Sequence, residues 1–120
     1  MVLLVDDDYD SCEALAEFLS LRGHGVQCAT NGSEALQLLA DTQDPPALIF
    51  LDLMMPELDG WSFLAERAKN PLLAEVPVVI ISGCAEVTEK AKEAGAVAVL
   101  RKPVEPQTLL RVVEHFEPHL

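Results

Sequence analysis

Residues 47–52 read ALIFLD, an unbroken run of apolar side chains that ends on an acid. A strand with one face in water alternates apolar and polar residues, whereas an unbroken run belongs to a strand covered on both faces, as in a parallel sheet between helices. A second such run spans Val76 to Ile81, and short, mainly apolar segments, not all of them unbroken, occur at Val2 to Val5, Val26 to Ala29 and Val97 to Leu100. Between these runs the apolar residues recur with helical period: Leu15, Phe18 and Leu19; Ala35, Leu38 and Leu39; Trp61, Leu64, Ala65 and Ala68; Leu109, Val112, Val113 and Phe116. Each stripe gives a helix one buried face. Glu86 to Ala94 is expected as the remaining helix, although its apolar residues are sparse and small.

The punctuation agrees. Gly23 and Gly25 separate the first helix from the second strand, Asn31 with Glu34 forms a capping box before the second helix, and Gly95 ends the fourth. Five strands alternating with five helices predict an α/β fold, a doubly wound parallel sheet with right-handed crossovers and helices on both faces. Neither repeat, low-complexity tract nor linker interrupts the pattern, so residues 1–120 are expected to form a single domain.

Composition narrows the function. Acids outnumber bases 20 to 8, a formal charge of -12, which repels a phosphate backbone and argues against direct nucleic-acid binding. Cys12, Cys28 and Cys84 lack CxxC spacing and complete no zinc pattern with the histidines, so they are expected as small core hydrophobes in a reducing compartment. VLLV is too short for a signal-peptide core, and no stretch approaches the ~20 apolar residues of a membrane span. A cytoplasmic location, away from the membrane, is the expectation.

In an open parallel sheet, ligands gather beyond the carboxyl ends of the strands, near the point where strand order reverses. Asp6, Asp7 and Asp8 follow the first run, Asp52 ends the third, Ser82 and Gly83 follow the fourth, and Lys102 and Pro103 follow the fifth. On such a sheet these groups converge on one rim. Carboxylate oxygens without histidine or thiolate suit Mg²⁺. A carboxylate can also attack a phosphoryl group, and a cation with a hydroxyl then holds the phosphoryl oxygens. Asp8 and Asp10 read as surface acids at the start of a helix, and Asp59 with Gly60 as a turn and cap for the third helix. Trp61 and Phe116 read as core, while His24 in a turn and His115 on the last helix fall away from the rim.

At these residues the chain resembles the receiver domain of two-component response regulators, through LLVDDD, LIFLDLMMPELDG, VVIISG and LRKPVE in that order and spacing. The resemblance implies a flavodoxin-like five-stranded parallel sheet in the order 2-1-3-4-5. It implies a phosphoacceptor switch in a phosphorelay, not an enzyme beyond its own phosphorylation and dephosphorylation. Asp52 would take a phosphoryl group from a phosphohistidine on a sensor histidine kinase or phosphotransfer protein. Asp7, Asp52 and the backbone carbonyl of Met54 would ligate Mg²⁺, with Asp6 at the metal chiefly through water. Ser82 would bond a phosphoryl oxygen and Lys102 would pair with the phosphoryl group, with a cis Lys102–Pro103 bond. The output would be read by a downstream protein on the face of the fourth helix, fifth strand and fifth helix. Val99 stands where family members often carry a switching aromatic, so the signal must run through Ser82 and that surface. Met54 and Cys84 flank the site.

Three rivals share parts of this pattern. A haloacid-dehalogenase-type phosphatase needs a second acid two residues after its nucleophile, and Met54 occupies that position. A flavin phosphate would be repelled by DDDYD. A degenerate receiver that acts only as a binding module would lack one or more of the expected site residues, and all of them are present.

Overall fold

The computed structural model describes residues 1–40, 44–53, 59–83 and 87–117, with Asp59 through its backbone alone. The strands are β1 (Val2–Val5), β2 (Val26–Ala29), β3 (Leu48–Asp52), β4 (Val78–Ser82) and β5 (Ala98–Arg101). The helices are α1 (Tyr9–Ser20), α2 (Gly32–Ala40), α3 (Asp59–Ala68), α4 (Pro71–Ala74), α5 (Thr88–Glu93) and α6 (Pro106–Phe116). All strand pairs are parallel, in the order β2-β1-β3-β4-β5. Strand order therefore reverses between β1 and β3.

The unbroken apolar runs have the expected cause. Val2 and Leu4 of β1, with Leu48 and Phe50 of β3, face Cys12 and Leu19 of α1 and Leu109 and Val113 of α6. Leu3, Val5, Ile49 and Leu51 face the other way, onto α2, α3, α4 and α5. Each fully buried aliphatic side chain contributes ~2 kcal/mol of transfer free energy. β1 and β3 are thus buried on both faces, and so is most of β4.

The ladder of β4 begins at Val78 instead of Val76 because Pro77 has no N–H to give; its carbonyl still accepts from Ile49 N at 3.0 Å. α4 adds a sixth helix to the five expected. Asn70 caps it, its side chain accepting from Leu72 N at 3.0 Å, and Pro71 opens it, a start signal followed by too few residues to show a period. The Asn31 cap is present, accepting from Glu34 N at 2.7 Å, but the Glu34 carboxylate accepts from Thr30 Oγ1. Gly95 ends α5 with φ of +100°.

α3 departs from its expected face. Phe63, Leu64 and Arg67 are buried and Trp61 half-buried, while Ala65 and Ala68 are exposed. Arg67 Nη1 donates to the carbonyls of Leu73 and Ala74 at 3.1 and 2.9 Å, and Nη2 reaches that of Gly95 at 3.4 Å. A stripe counted from apolar residues alone cannot include a buried guanidinium. His24 also differs: it lies in the expected turn, yet its ring is buried and Nδ1 sits 3.1 Å from Glu117 Oε1.

The cysteine expectation needs correction. Cys12 and Cys28 are not separate core hydrophobes; they form a disulfide between α1 and β2, with Cα atoms 6.2 Å apart. The parallel register that puts Leu4 beside Cys28 brings the two together. Cys84 and the expected start of a helix at Glu86 lie outside the described residues.

Candidate functional site

The rim is built by the carboxyl ends of strands that the sheet holds in place. β1 delivers Asp6 and Asp7, β3 ends on Asp52, β4 ends on Ser82, and β5 runs out through Arg101 into Lys102. The loop after β1 is fixed by short bonds. Asp8 caps α1, accepting from Ser11 N at 3.2 Å and Ser11 Oγ at 2.9 Å, while Asp6 Oδ1 accepts from Asp8 N at 2.9 Å. The two bonds from Ser11 hold the Asp8 carboxyl below the ordinary range. Asp8 is therefore the N-cap of α1, a more specific role than the surface acid at a helix start that the sequence suggested.

Asp6, Asp7 and Asp52 each offer an oxygen within 4.8 Å of the others'. Asp52 is 2% exposed and Lys102 Nζ donates to its Oδ2 at 2.8 Å. Ser82 is equally buried, and its carbonyl accepts from Lys102 N at 2.9 Å, which ties the ends of β4 and β5 together. The Lys102–Pro103 peptide is cis. Of the residues singled out in the sequence, Asp6, Asp7, Asp52, Ser82 and Lys102 thus meet at one rim; Met54 lies outside the described residues, so its carbonyl has no place here.

The charges at this rim do not balance, since one lysine faces three carboxylates. The Asp6 carboxyl is pushed up from 3.8 to about 6, first by burial. The Asp8 N–H opposes that rise, the charge and hydrogen bonding of Asp52 add to it, and Lys102 draws it back. The donor set is oxygen only, compact and over-charged, which fits a hard divalent cation and gives a soft metal no ligand.

Two openings adjoin the rim. A groove of about 420 Å³ has Asp6 and Lys102 in its wall beside Leu15, Ile81, Pro103 and Leu109. A void of about 10 Å³ lies underneath, lined by Leu4, Asp6, Cys12, Phe50 and Asp52. Cys12 was not expected near the site. The only sequence signal for it is its place in the α1 stripe with Leu15 and Leu19, at i, i+3 and i+7.

The family model described as the response regulator receiver domain matches residues 2–114. Protein PilH of Pseudomonas aeruginosa is 32% identical over 114 residues, covering 93% of each chain. The probable transcriptional regulator ycf29 of Pyropia yezoensis is 32% identical over 117 residues, 96% of this chain but 52% of that protein, so the chain spans about half of that relative. Among solved structures, the Vibrio cholerae chemotaxis protein CheY4 superposes with a TM-score of 0.85 at 26% identity over 96% of each chain. No helix among the described residues is long and apolar enough to cross a membrane. With the family model matching residues 2–114 and the fold superposing on solved receiver domains, the chain belongs to the response regulator receiver domain family.

Proposed function

We propose that the chain is a phosphorylation-controlled switch, a single receiver domain over residues 1–120, in which Asp52 is the phosphoacceptor. The observation that carries this reading is the buried Asp52 carboxylate, held at 2.8 Å by Lys102 Nζ and within 4.8 Å of two further carboxylates. In the transfer, an Asp52 oxygen bonds to phosphorus as the phosphorus–nitrogen bond of a phosphohistidine breaks, and the imidazole leaves. Lys102 moves its charge from the carboxylate to the new phosphoryl oxygens, and the Ser82 hydroxyl donates to one of them. Asp6, Asp7, Asp52 and the Met54 carbonyl are the groups that would hold Mg²⁺, which supplies charge neutralisation at the reacting oxygens.

The donor is a sensor histidine kinase or a histidine phosphotransfer protein, and the groove beside Asp6 and Lys102 offers its imidazole an approach. The downstream partner is a protein that reads the face formed by α5, β5 and α6. Val99 on β5 is half-buried and packs into the core beneath α5, so no aromatic ring swings there. The change is carried by Ser82, the Lys102 backbone bonded to its carbonyl, and the adjoining surface. The net charge of -12 leaves nucleic acid an unsuitable direct partner. The expected setting is the cytoplasm.

Incubation with acetyl phosphate, with and without Mg²⁺, followed by intact mass measurement tests this. Wild type should gain one metal-dependent phosphoryl adduct and Asp52→Asn none. A wild-type chain that stays unmodified in Mg²⁺ would overturn the assignment.

A further inference from the structure

We propose that Cys12 and Cys28 are a reversible redox staple that ties α1 to the edge strand β2 directly behind the acidic rim, so that thiol oxidation sets how firmly the rim is held. The consequence for signalling rests on the phosphoacceptor reading above; the staple itself does not.

Both oxidation states fit the same fold. The Cα atoms are 6.2 Å apart, inside the range a disulfide spans without backbone movement. When the bond is open, the Cys12 thiol already faces an acceptor, the Leu4 carbonyl 3.8 Å away. The two sulfurs differ in access. Cys12 is 1% exposed, whereas Cys28 is only half-buried, on a strand at the sheet edge. Cys28 is therefore the entry point and Cys12 the resolving thiol.

The chemistry is exchange with a low-molecular-weight disulfide. The Cys28 thiolate attacks one sulfur of that disulfide, whose S–S bond breaks to release one small thiol. Cys12 gives up its proton and attacks Cys28 Sγ in the mixed disulfide, expelling the second small thiol. The protein thiols lose two electrons, the small disulfide gains them, and the two protons end on the released thiols. Excess small thiol runs the sequence backwards. In a compartment kept reducing by glutathione, a pair of this kind senses redox state and is not permanent.

Position couples the staple to the rim. Cys12 shares the void beneath the rim with Asp6 and Asp52. Its helix starts at Tyr9, immediately after the loop that Asp8 pins to Ser11. Without the bond, α1 is held by apolar packing of Leu15, Phe18 and Leu19 on the sheet. With it, the first half of α1 cannot lift away from β2 and carry the Asp6–Asp8 loop along.

The chain is equilibrated in glutathione buffers from fully reduced to fully oxidised, trapped by alkylation, and read by intact mass and peptide mapping. Hydrogen exchange and Mg²⁺ calorimetry follow on the same samples. The expected result is reversible loss of two thiol hydrogens mapped to Cys12 and Cys28. Amide exchange across residues 9–20 should slow about tenfold on oxidation, and Mg²⁺ should bind about fivefold more tightly. Cys28→Ser should behave as the reduced protein in every buffer. A pair that never oxidises, a bond that survives excess thiol, or identical exchange in α1 would overturn the proposal. If acetyl phosphate labels neither form while the exchange and Mg²⁺ differences persist, the staple stands and the phosphoacceptor reading falls.

Discussion

Asp6→Asn in metal-free protein tests whether the rim is electrostatically over-charged. Asp6 is half-buried, and its carboxyl is pushed up from 3.8 to about 6, by burial first and then by Asp52. That rise corresponds to about 3 kcal/mol at ~1.36 kcal/mol per pH unit, and the side-chain atoms that face water screen it to ~1.5 kcal/mol. The folded protein keeps a proton that the unfolded chain has already released. The favourable contribution is therefore complete below the unfolded value of 3.8 and is lost as pH rises through about 6. Asparagine retains an oxygen to accept from Asp8 N and carries no charge at any pH. In EDTA, the stability advantage of Asp6→Asn over wild type should grow by ~1.5 kcal/mol between pH 4 and pH 8, about 6 °C in Tm for a domain of this size. Urea or thermal unfolding of both proteins across that range measures it. Added Mg²⁺ should narrow the gap at pH 8, because wild type binds the cation more tightly and gains more from it. An advantage that is constant with pH, or no advantage at pH 8, would refute the claim that crowded carboxylates destabilise the empty rim.

Arg67→Met should cost ~3 kcal/mol in chemical unfolding, because it strands the carbonyls that the guanidinium satisfies between α3, α4 and the turn at Gly95. Arg67→Lys should recover less than half of that, since one ammonium cannot span the same acceptors. Gly95→Ala should lose ~1 kcal/mol, as φ is +100° and an added Cβ would stand 3.2 Å from Arg67 Nη2. Lys102→Ala leaves the buried Asp52 without its ammonium, so the Asp6 titration followed by NMR should move up by about 1 pH unit; phosphorylation should then persist without output, and normal signalling would remove the role proposed for the lysine.

Residues 47–52 and the run at Val76 to Ile81 carried most of the reading of a parallel sheet with helices on both faces, because burial on two sides leaves a one-dimensional mark, an apolar run without alternation; the edge strand β2, with Gln27 exposed, carries that mark only weakly. The rim was readable for a related reason: in a parallel sheet each strand ends on the same side, so the residue after each run is placed by topology before any packing is known. The cap at Asn31 followed from a side chain that bonds its own neighbour, whereas Asp8 read only as a surface acid at a helix start. The other features depend on partners distant in sequence. Arg67 looks like a surface charge on a helix until the carbonyls of Leu73, Ala74 and Gly95 converge on it and rotate the buried face of α3. His24 looks like a turn residue until the end of α6 covers it. Cys12 and Cys28 have no telling spacing, and only the register that sets Leu4 beside Cys28 brings their sulfurs together. Periodicity and strand ends are local and survive in the sequence; the pairing of one buried polar or sulfur group with another is decided by how helices dock on the sheet, which no local pattern records.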